Sequence, residues 1–236
     1  MKIVILAGGF GTRLSEYTEN IPKPMVPIGG RPIIEYIMET FSKFGHKDFF
    51  VALGYKGQVM IDHFKNTEIQ KKNNWNINLI DTGSNTMTGG RVKRMKKYIG
   101  DETFLLTYGD GLANINIKKL IDFHEDKKKM LTISAVRPPA RFGALQIDEK
   151  NNVMNFREKN QLDESWINGG YMVVETKLFN LIKGDETVLE KEVLENLALN
   201  KNIAAFKHEG FWQCMDHKLD KDRFDEMVKS KKVPWL

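Results

Sequence analysis

A chain of 236 residues, 41% hydrophobic and 28% charged, carries enough apolar material for one sizeable α/β core. The formal net charge is +5, but the lysines are scattered or in short clusters (Lys127-Lys128-Lys129; Lys229, Lys231, Lys232) and form no aromatic-laced basic face. That pattern argues against a nucleic-acid partner and leaves a mild preference for anionic substrates. One cysteine, Cys214, excludes an internal disulfide, and no apolar run approaches the ~20 residues of a membrane span. Met1-Lys2 runs straight into a strand pattern, so the expectation is a cytoplasmic protein with no membrane partner.

The first predicted element is a buried strand over Ile3-Val4-Ile5-Leu6-Ala7, bounded by glycines. Arg31 to Phe44 carries a helical stripe (Ile33, Ile34, Ile37, Met38, Phe41, Phe44) closed by Gly45. Phe49 to Leu53 reads as a strand, Lys56 to Phe64 as a helix and Trp75 to Ile80 as a strand. Arg91 to Tyr98 follows as a short basic helix, then a strand over Thr103 to Thr107, a helix over Ile117 to Lys128 and a strand over Met130 to Val136. Repeated β-α-β order predicts a mostly parallel sheet with right-handed crossovers.

After Pro138-Pro139 the rhythm changes. Phe142 to Ile147 and Val153 to Phe156 read as a hairpin around Asp148 to Asn152. A strand over Trp166 to Val174 is interrupted by Gly169-Gly170. Helices over Thr176 to Ile182 and Glu190 to Leu199, a strand over Ile203 to Phe206 and a terminal helix over Leu219 to Val228 complete the pattern.

Chemistry concentrates first in Gly8-Gly9-Phe10-Gly11-Thr12-Arg13. Glycines directly after a strand let backbone N–H groups converge on phosphate oxygens. The stretch is not a P-loop, which needs Gly-Lys-Ser/Thr, and not a dinucleotide fingerprint, because Leu14 stands where the third glycine belongs. What remains is a phosphate nest with its own cation, Arg13, and a second, Lys23, fixed between Pro22 and Pro24. Two cations suit a site where negative charge builds on a phosphoryl group and a departing diphosphate.

These residues carry a resemblance. Leu6 to Leu14 followed by Pro22-Lys23-Pro24-Met25 resembles the signature of the sugar-phosphate nucleotidyltransferases, the nucleoside-diphosphate-sugar pyrophosphorylases. Met87-Thr88-Gly89-Gly90-Arg91, Thr107-Tyr108-Gly109-Asp110-Gly111, Ile167-Asn168-Gly169-Gly170 and Gly210-Phe211-Trp212-Gln213 through Asp216 are similar to the glucose-1-phosphate cytidylyltransferase branch. The similarity runs from Met1 to Pro234-Trp235.

Asp110 follows a buried strand, so it should point into the crevice at the carboxyl end of the sheet. Alone, Asp-Gly is also a turn signal, and Asp216 alone reads as an N-cap of the last helix. The resemblance pairs them as ligands of Mg²⁺, a cation that favours few carboxylates plus substrate phosphates. It also implies that the CTP site takes in Leu6, Ala7, Gly8, Gly9, Gly11, Thr12, Arg13, Lys23, Thr86, Arg91 and Gly109, and that Arg13, Lys23 and Asp110 are catalytic. Gly89-Gly90-Arg91 opens a helix and could bring amides and a guanidinium to base or phosphate. On the acceptor side stand Arg141, Gly143, Glu158, Lys159, Asn168 and Gly169, since a carboxylate and an amide suit sugar hydroxyls and a lysine suits a phosphate. His124 and His208 read as structural. No zinc spacing and no G-x-S-x-G nucleophile occurs.

The implied fold is α/β: a Rossmann-like three-layer nucleotidyltransferase fold with a mostly parallel mixed sheet and a small C-terminal substrate-side region. It is expected as one domain over 1–236, with a nucleotide-binding half (1–137) and a substrate and metal half (138–236). The implied reaction is CTP + α-D-glucose 1-phosphate → CDP-glucose + diphosphate, with Mg²⁺ as cofactor, in a homo-oligomer. One departure stands out: relatives carry a longer segment before the Trp75-Asn76 strand, where only Thr67 to Asn74 stands here. Another sugar phosphate or a small phosphorylated capsule precursor therefore stays open as acceptor, as does a thymidylyl or guanylyl donor. A catalytically silent nucleotide-binding subunit is the alternative of a different class.

Overall fold

The computed structural model describes residues 1–139, 143–158 and 165–236. Its strands are β1 (Lys2–Leu6), β2 (Pro27–Ile28), β3 (Arg31–Pro32), β4 (Asp48–Leu53), β5 (Asn76–Asp81), β6 (Phe104–Tyr108) and β7 (Gly111–Ala113). They continue with β8 (Leu131–Val136), β9 (Ala144–Ile147), β10 (Val153–Arg157), β11 (Ile167–Val174), β12 (Ile203–Lys207) and β13 (Trp212–Cys214). The α-helices are α1 (Ser15–Thr18), α2 (Ile33–Ser42), α3 (Gly57–Asn66), α4 (Ile69–Asn73), α5 (Thr88–Ile99), α6 (Ile117–Lys127), α7 (Glu195–Leu199) and α8 (Lys218–Lys229).

Seven strands form the central sheet in the order β12-β8-β11-β6-β1-β4-β5. All run parallel except β11, which is antiparallel to both neighbours, β6 and β8. The β1 side chains alternate between two cores, as a strand buried on both faces must. Ile3 and Ile5 meet α2, α3, α6 and α8 through Ile37, Phe41, Phe64, Leu120 and Phe224. Val4 and Leu6 meet α5 and the 176–199 segment through Val92, Met95, Phe179 and Val193. Helices therefore cover both faces, giving the expected three-layer α/β arrangement with a mostly parallel mixed sheet.

The differences from the sequence pattern are local. Arg31-Pro32 is not the start of a helix but β3, paired with β2 across Gly29-Gly30. Helix α2 begins after Pro32, whose extended ψ of 138° cannot continue into a helix from its N-terminal side. Helix α5 starts at Thr88, three residues earlier than the basic run suggests. The 176–182 segment is a 3₁₀ turn, and 189–194 is a π-helical turn running into α7. The segment from Thr67 to Asn74 holds the short α4, with no buried residue. The β9–β10 hairpin is a separate two-stranded ribbon with both strands largely exposed; Phe142 lies outside the described residues. Among the described residues no helix is long and apolar enough to cross a membrane.

Three-residue strands β7 and β13 escaped the sequence reading altogether. They pair antiparallel, Trp212 with Ala113 and Cys214 with Gly111. This small ladder sits at the carboxyl end of β6, where α/β sheets present their functional groups.

Candidate active site

A cavity of about 420 Å³ opens at the carboxyl ends of β1 and β6. Its walls include every residue expected at the nucleotide: Leu6, Ala7, Gly8, Gly9, Gly11, Thr12, Arg13, Lys23, Thr86, Arg91 and Gly109. Asp110 and Tyr108 complete the floor. Among the described residues, the amides of Gly8, Gly9, Phe10 and Gly11 have no protein acceptor, which leaves them free to hold an anion. Gly11 turns the loop with φ +66°, and its carbonyl accepts the Thr18 hydroxyl at 3.0 Å. The chain then enters the 3₁₀ turn Thr12–Leu14 that presents Arg13.

Arg91 stands in the cavity wall and also braces it. Its side chain is buried and its guanidinium faces the loop from behind. It donates to the carbonyls of Leu53 (2.9 Å), Gly83 (2.7 Å), Ser84 (3.1 Å) and Gly8 (3.0 Å), and to the Thr82 hydroxyl (2.7 Å). Its two terminal nitrogens are engaged by three backbone segments, so Arg91 shapes the cavity wall that it lines. It also explains two glycines: a Cβ on Gly8 or Gly54 would lie 2.2 or 2.4 Å from Arg91 Nη1. The amides of Gly89 and Gly90 are likewise taken, both by the Thr187 carbonyl. The start of α5 therefore anchors the 185–187 segment and does not cradle an anion.

The carboxylates meet as expected, by a route the sequence hid. Pairing of β7 with β13 brings the Met215 amide onto the Asp110 carbonyl at 2.8 Å, which sets Asp216 beside Asp110 across the ladder. Lys23 Nζ lies between them, 2.7 Å from Asp110 Oδ2 and 2.6 Å from Asp216 Oδ1. Arg13 Nη1 takes the other Asp216 oxygen at 2.8 Å. Lys23 sits on the 3₁₀ turn Lys23–Met25, and the Pro24 ring fills the space a Gly109 side chain would need. Burial disfavours charge at both Lys23 and Asp216. Asp110 and then Asp216 outweigh it at the lysine, and Lys23 and then Arg13 outweigh it at Asp216, so the lysine is held above, and the aspartate below, the ordinary range.

Asp216 is not the cap of α8. His217 is the N-cap, and Asp220 closes a capping box while its Oδ2 also accepts the Asp216 and His217 amides at 3.1 and 2.9 Å. The Cys214 thiol, 3.6 Å from Asp216 Oδ2, is pushed up to about 12 by burial and by the neighbouring carboxylates.

Two carboxylates converging on one cation position suit a divalent ion. Among the described residues no group of three or more His, Cys, Asp or Glu side chains is gathered for a metal. A cation there needs further oxygens from a ligand or water, the usual pattern for Mg²⁺.

On the acceptor side, Asn168 donates to the Tyr108 hydroxyl at 3.3 Å and so reaches the cavity floor. Gly143 and Glu158 lie together at the base of the β9–β10 ribbon. Gly169 has a packing reason to be glycine: a Cβ would come within 2.7 Å of Ser134 and Val136, and its carbonyl accepts Trp212 Nε1 at 2.8 Å. Arg141 and Lys159 lie outside the described residues. One group that the sequence reading missed is Glu190, which accepts the Tyr108 hydroxyl at 2.6 Å and the Thr88 hydroxyl at 2.7 Å. It sits on the π-helical turn, a distortion often found at functional sites.

Known proteins resemble this chain along most of its length. The family model described as Nucleotidyl transferase matches residues 2–215. A glucose-1-phosphate cytidylyltransferase of Salmonella typhi is 45% identical, covering 100% of this chain and 98% of that protein. The alignment spans 254 positions against 236 residues here, so that relative carries residues this chain lacks. A D-glycero-alpha-D-manno-heptose 1-phosphate guanylyltransferase of Campylobacter jejuni is 33% identical, over 76% of this chain and 78% of that protein. The crystal structure of HddC from Yersinia pseudotuberculosis complexed with GMP-PN superposes with a TM-score of 0.75 at 29% identity, covering 96% of this chain and 99% of that one.

Proposed function

This chain is a nucleotidyltransferase, a member of the family whose model spans most of its length, and from that premise we propose that it makes CDP-glucose and diphosphate from CTP and α-D-glucose 1-phosphate. The observation that carries the reading is the meeting of Arg13, Lys23, Asp110 and Asp216 at one end of the glycine-loop cavity. Similarity to the Salmonella cytidylyltransferase along the whole chain supports the donor and the acceptor.

In this reading the loop amides from Gly8 to Gly11 bind the triphosphate. An oxygen of the acceptor's phosphate attacks the α-phosphorus in line. A new P–O bond forms, the bond from the α-phosphorus to the bridging oxygen breaks, and diphosphate leaves with the electron pair. The nucleophile needs no general base, because the second pKa of a phosphate monoester is about 6. Arg13 and Lys23 stabilise the charge that spreads over the reacting phosphates. Arg91 keeps the loop in place, and Asn168 with Glu158 orients the sugar. Asp110 and Asp216 would hold Mg²⁺, which supplies charge neutralisation at the phosphates when bound.

The halves 1–137 and 138–236 act here as one unit, since each gives one aspartate to the pair. A homo-oligomer is part of the same reading. The apolar face of the β9–β10 ribbon, with Leu145, Ile147, Val153 and Phe156 each more than half exposed, supports it. Diphosphate release from CTP across a panel of sugar 1-phosphates and other phosphorylated acceptors tests the substrate. Turnover confined to another acceptor keeps the reaction class and discards glucose 1-phosphate.

A further inference from the structure

Lys23 makes an unusual set of contacts for a phosphate-binding lysine. Its ammonium touches one oxygen of each aspartate, and its side chain is only 12% exposed. Arg13 engages the remaining Asp216 oxygen. The four side chains in ion-pair contact are two carboxylates and two cations, neutral as a group. A bare divalent ion approaching the pair meets no net attraction, and it would have to sit within contact distance of an ammonium. Among the described residues no group of three or more His, Cys, Asp or Glu side chains is gathered that could hold a metal by itself. Lys23 itself is free to leave: its backbone is pinned by Pro22 and Pro24, but its four-carbon stem is flexible and its charge is a point that can swing between partners.

From this geometry we propose that Lys23 is a resident cation that guards the aspartate pair. It holds Asp110 and Asp216 together before substrate arrives and excludes free divalent ions. A divalent cation enters with a nucleoside triphosphate, whose phosphate oxygens both complete its coordination and draw the ammonium away from the carboxylates. The lysine then stands at the phosphates, where charge builds during transfer. Metal and nucleotide binding are thereby coupled through one side chain. The inference rests on the metal–nucleotide reading of the site given above.

The test is binding of Mn²⁺ measured by loss of its free-ion electron paramagnetic resonance signal, with and without CTP, after correction for the Mn²⁺–CTP complex. Wild type, Lys23→Met and Arg13→Gln are compared, with circular dichroism and thermal melting to confirm folding. Without CTP, wild type is expected to bind Mn²⁺ at least about tenfold more weakly than Lys23→Met, with Arg13→Gln in between. With CTP the wild-type affinity rises and that advantage of Lys23→Met disappears. The Arg13 side chain is 66% exposed, so Arg13→Gln keeps the test decisive even if Lys23→Met fails to fold. Equal Mn²⁺ binding by wild type and the folded variants without CTP overturns the guard while leaving the metal site standing. No Mn²⁺ binding by any of the proteins, with or without CTP, overturns the metal reading and the guard with it.

Discussion

The carbonyl oxygen of Gly8 accepts a hydrogen bond from the Arg91 guanidinium at 3.0 Å, so the loop that faces the phosphates is braced by a buried arginine behind it. The same guanidinium ties down the end of β4 and the 82–84 turn. One residue thus fixes the relative positions of three segments of the cavity wall.

Replacing Arg91 with lysine keeps the charge but loses the fork. Several backbone carbonyls are then left without partners in a buried place, at a cost of about 2–3 kcal/mol. For a chain of this size that lowers the melting temperature by roughly 4–12 °C. Differential scanning calorimetry reads it directly; a melting point unchanged from wild type contradicts the brace.

Two glycines of the loop should respond differently to alanine. At Gly8 the new Cβ would lie 2.2 Å from Arg91 Nη1, whereas at Gly9 no described residue stands within 4 Å. Gly8→Ala should destabilise the fold, while Gly9→Ala should stay within about 0.5 kcal/mol of wild type. Urea unfolding of both variants settles the contrast, and equal destabilisation would show that the loop is packed otherwise.

Asp220 holds the backbone that carries Asp216. Its carboxylate accepts the amides of Asp216 and His217 and caps α8. Asp220→Ala is expected to cost about 1–2 kcal/mol of stability and to lower kcat, because Asp216 loses its fixed position. A stable variant with wild-type kcat would remove Asp220 from the support of the site.

Cys214 should be a poor nucleophile. Burial and the carboxylates of Asp216 and Asp110 push its thiol up to about 12, so little thiolate exists at pH 8 and the fraction grows only as pH climbs toward that value. Iodoacetamide labelling at pH 8 is expected to run more than about a hundredfold slower than for a free cysteine. Labelling at the free-thiol rate contradicts the crowded carboxylate cluster.

The parallel strands and amphipathic helices were legible because each carries its own period: Ile3 to Leu6 for a strand buried on both faces, and Ile33 to Phe41 for a helix. The phosphate loop was legible because consecutive glycines after a strand have few other uses. The pairing of β7 with β13 was not, since three-residue strands such as Trp212-Gln213-Cys214 show no usable alternation. Asp110 and Asp216 could therefore be joined only through resemblance, and their neighbour Cys214 carried no signal at all. The role of Arg91 was hidden for another reason: four of its five acceptors are backbone carbonyls, and every residue has one. Likewise, Gly169 reads as a substrate-loop glycine until Ser134, Val136 and Trp212 are seen against it.

Transfer of a cytidylyl group to glucose 1-phosphate is read by ³¹P NMR of the purified protein with glucose 1-phosphate, Mg²⁺ and either CTP or GTP. Diphosphate and the paired doublets of CDP-glucose are expected with CTP, and negligible product with GTP. Sugar-nucleotide formation from GTP, or unchanged CTP in the presence of glucose 1-phosphate, would contradict that reading.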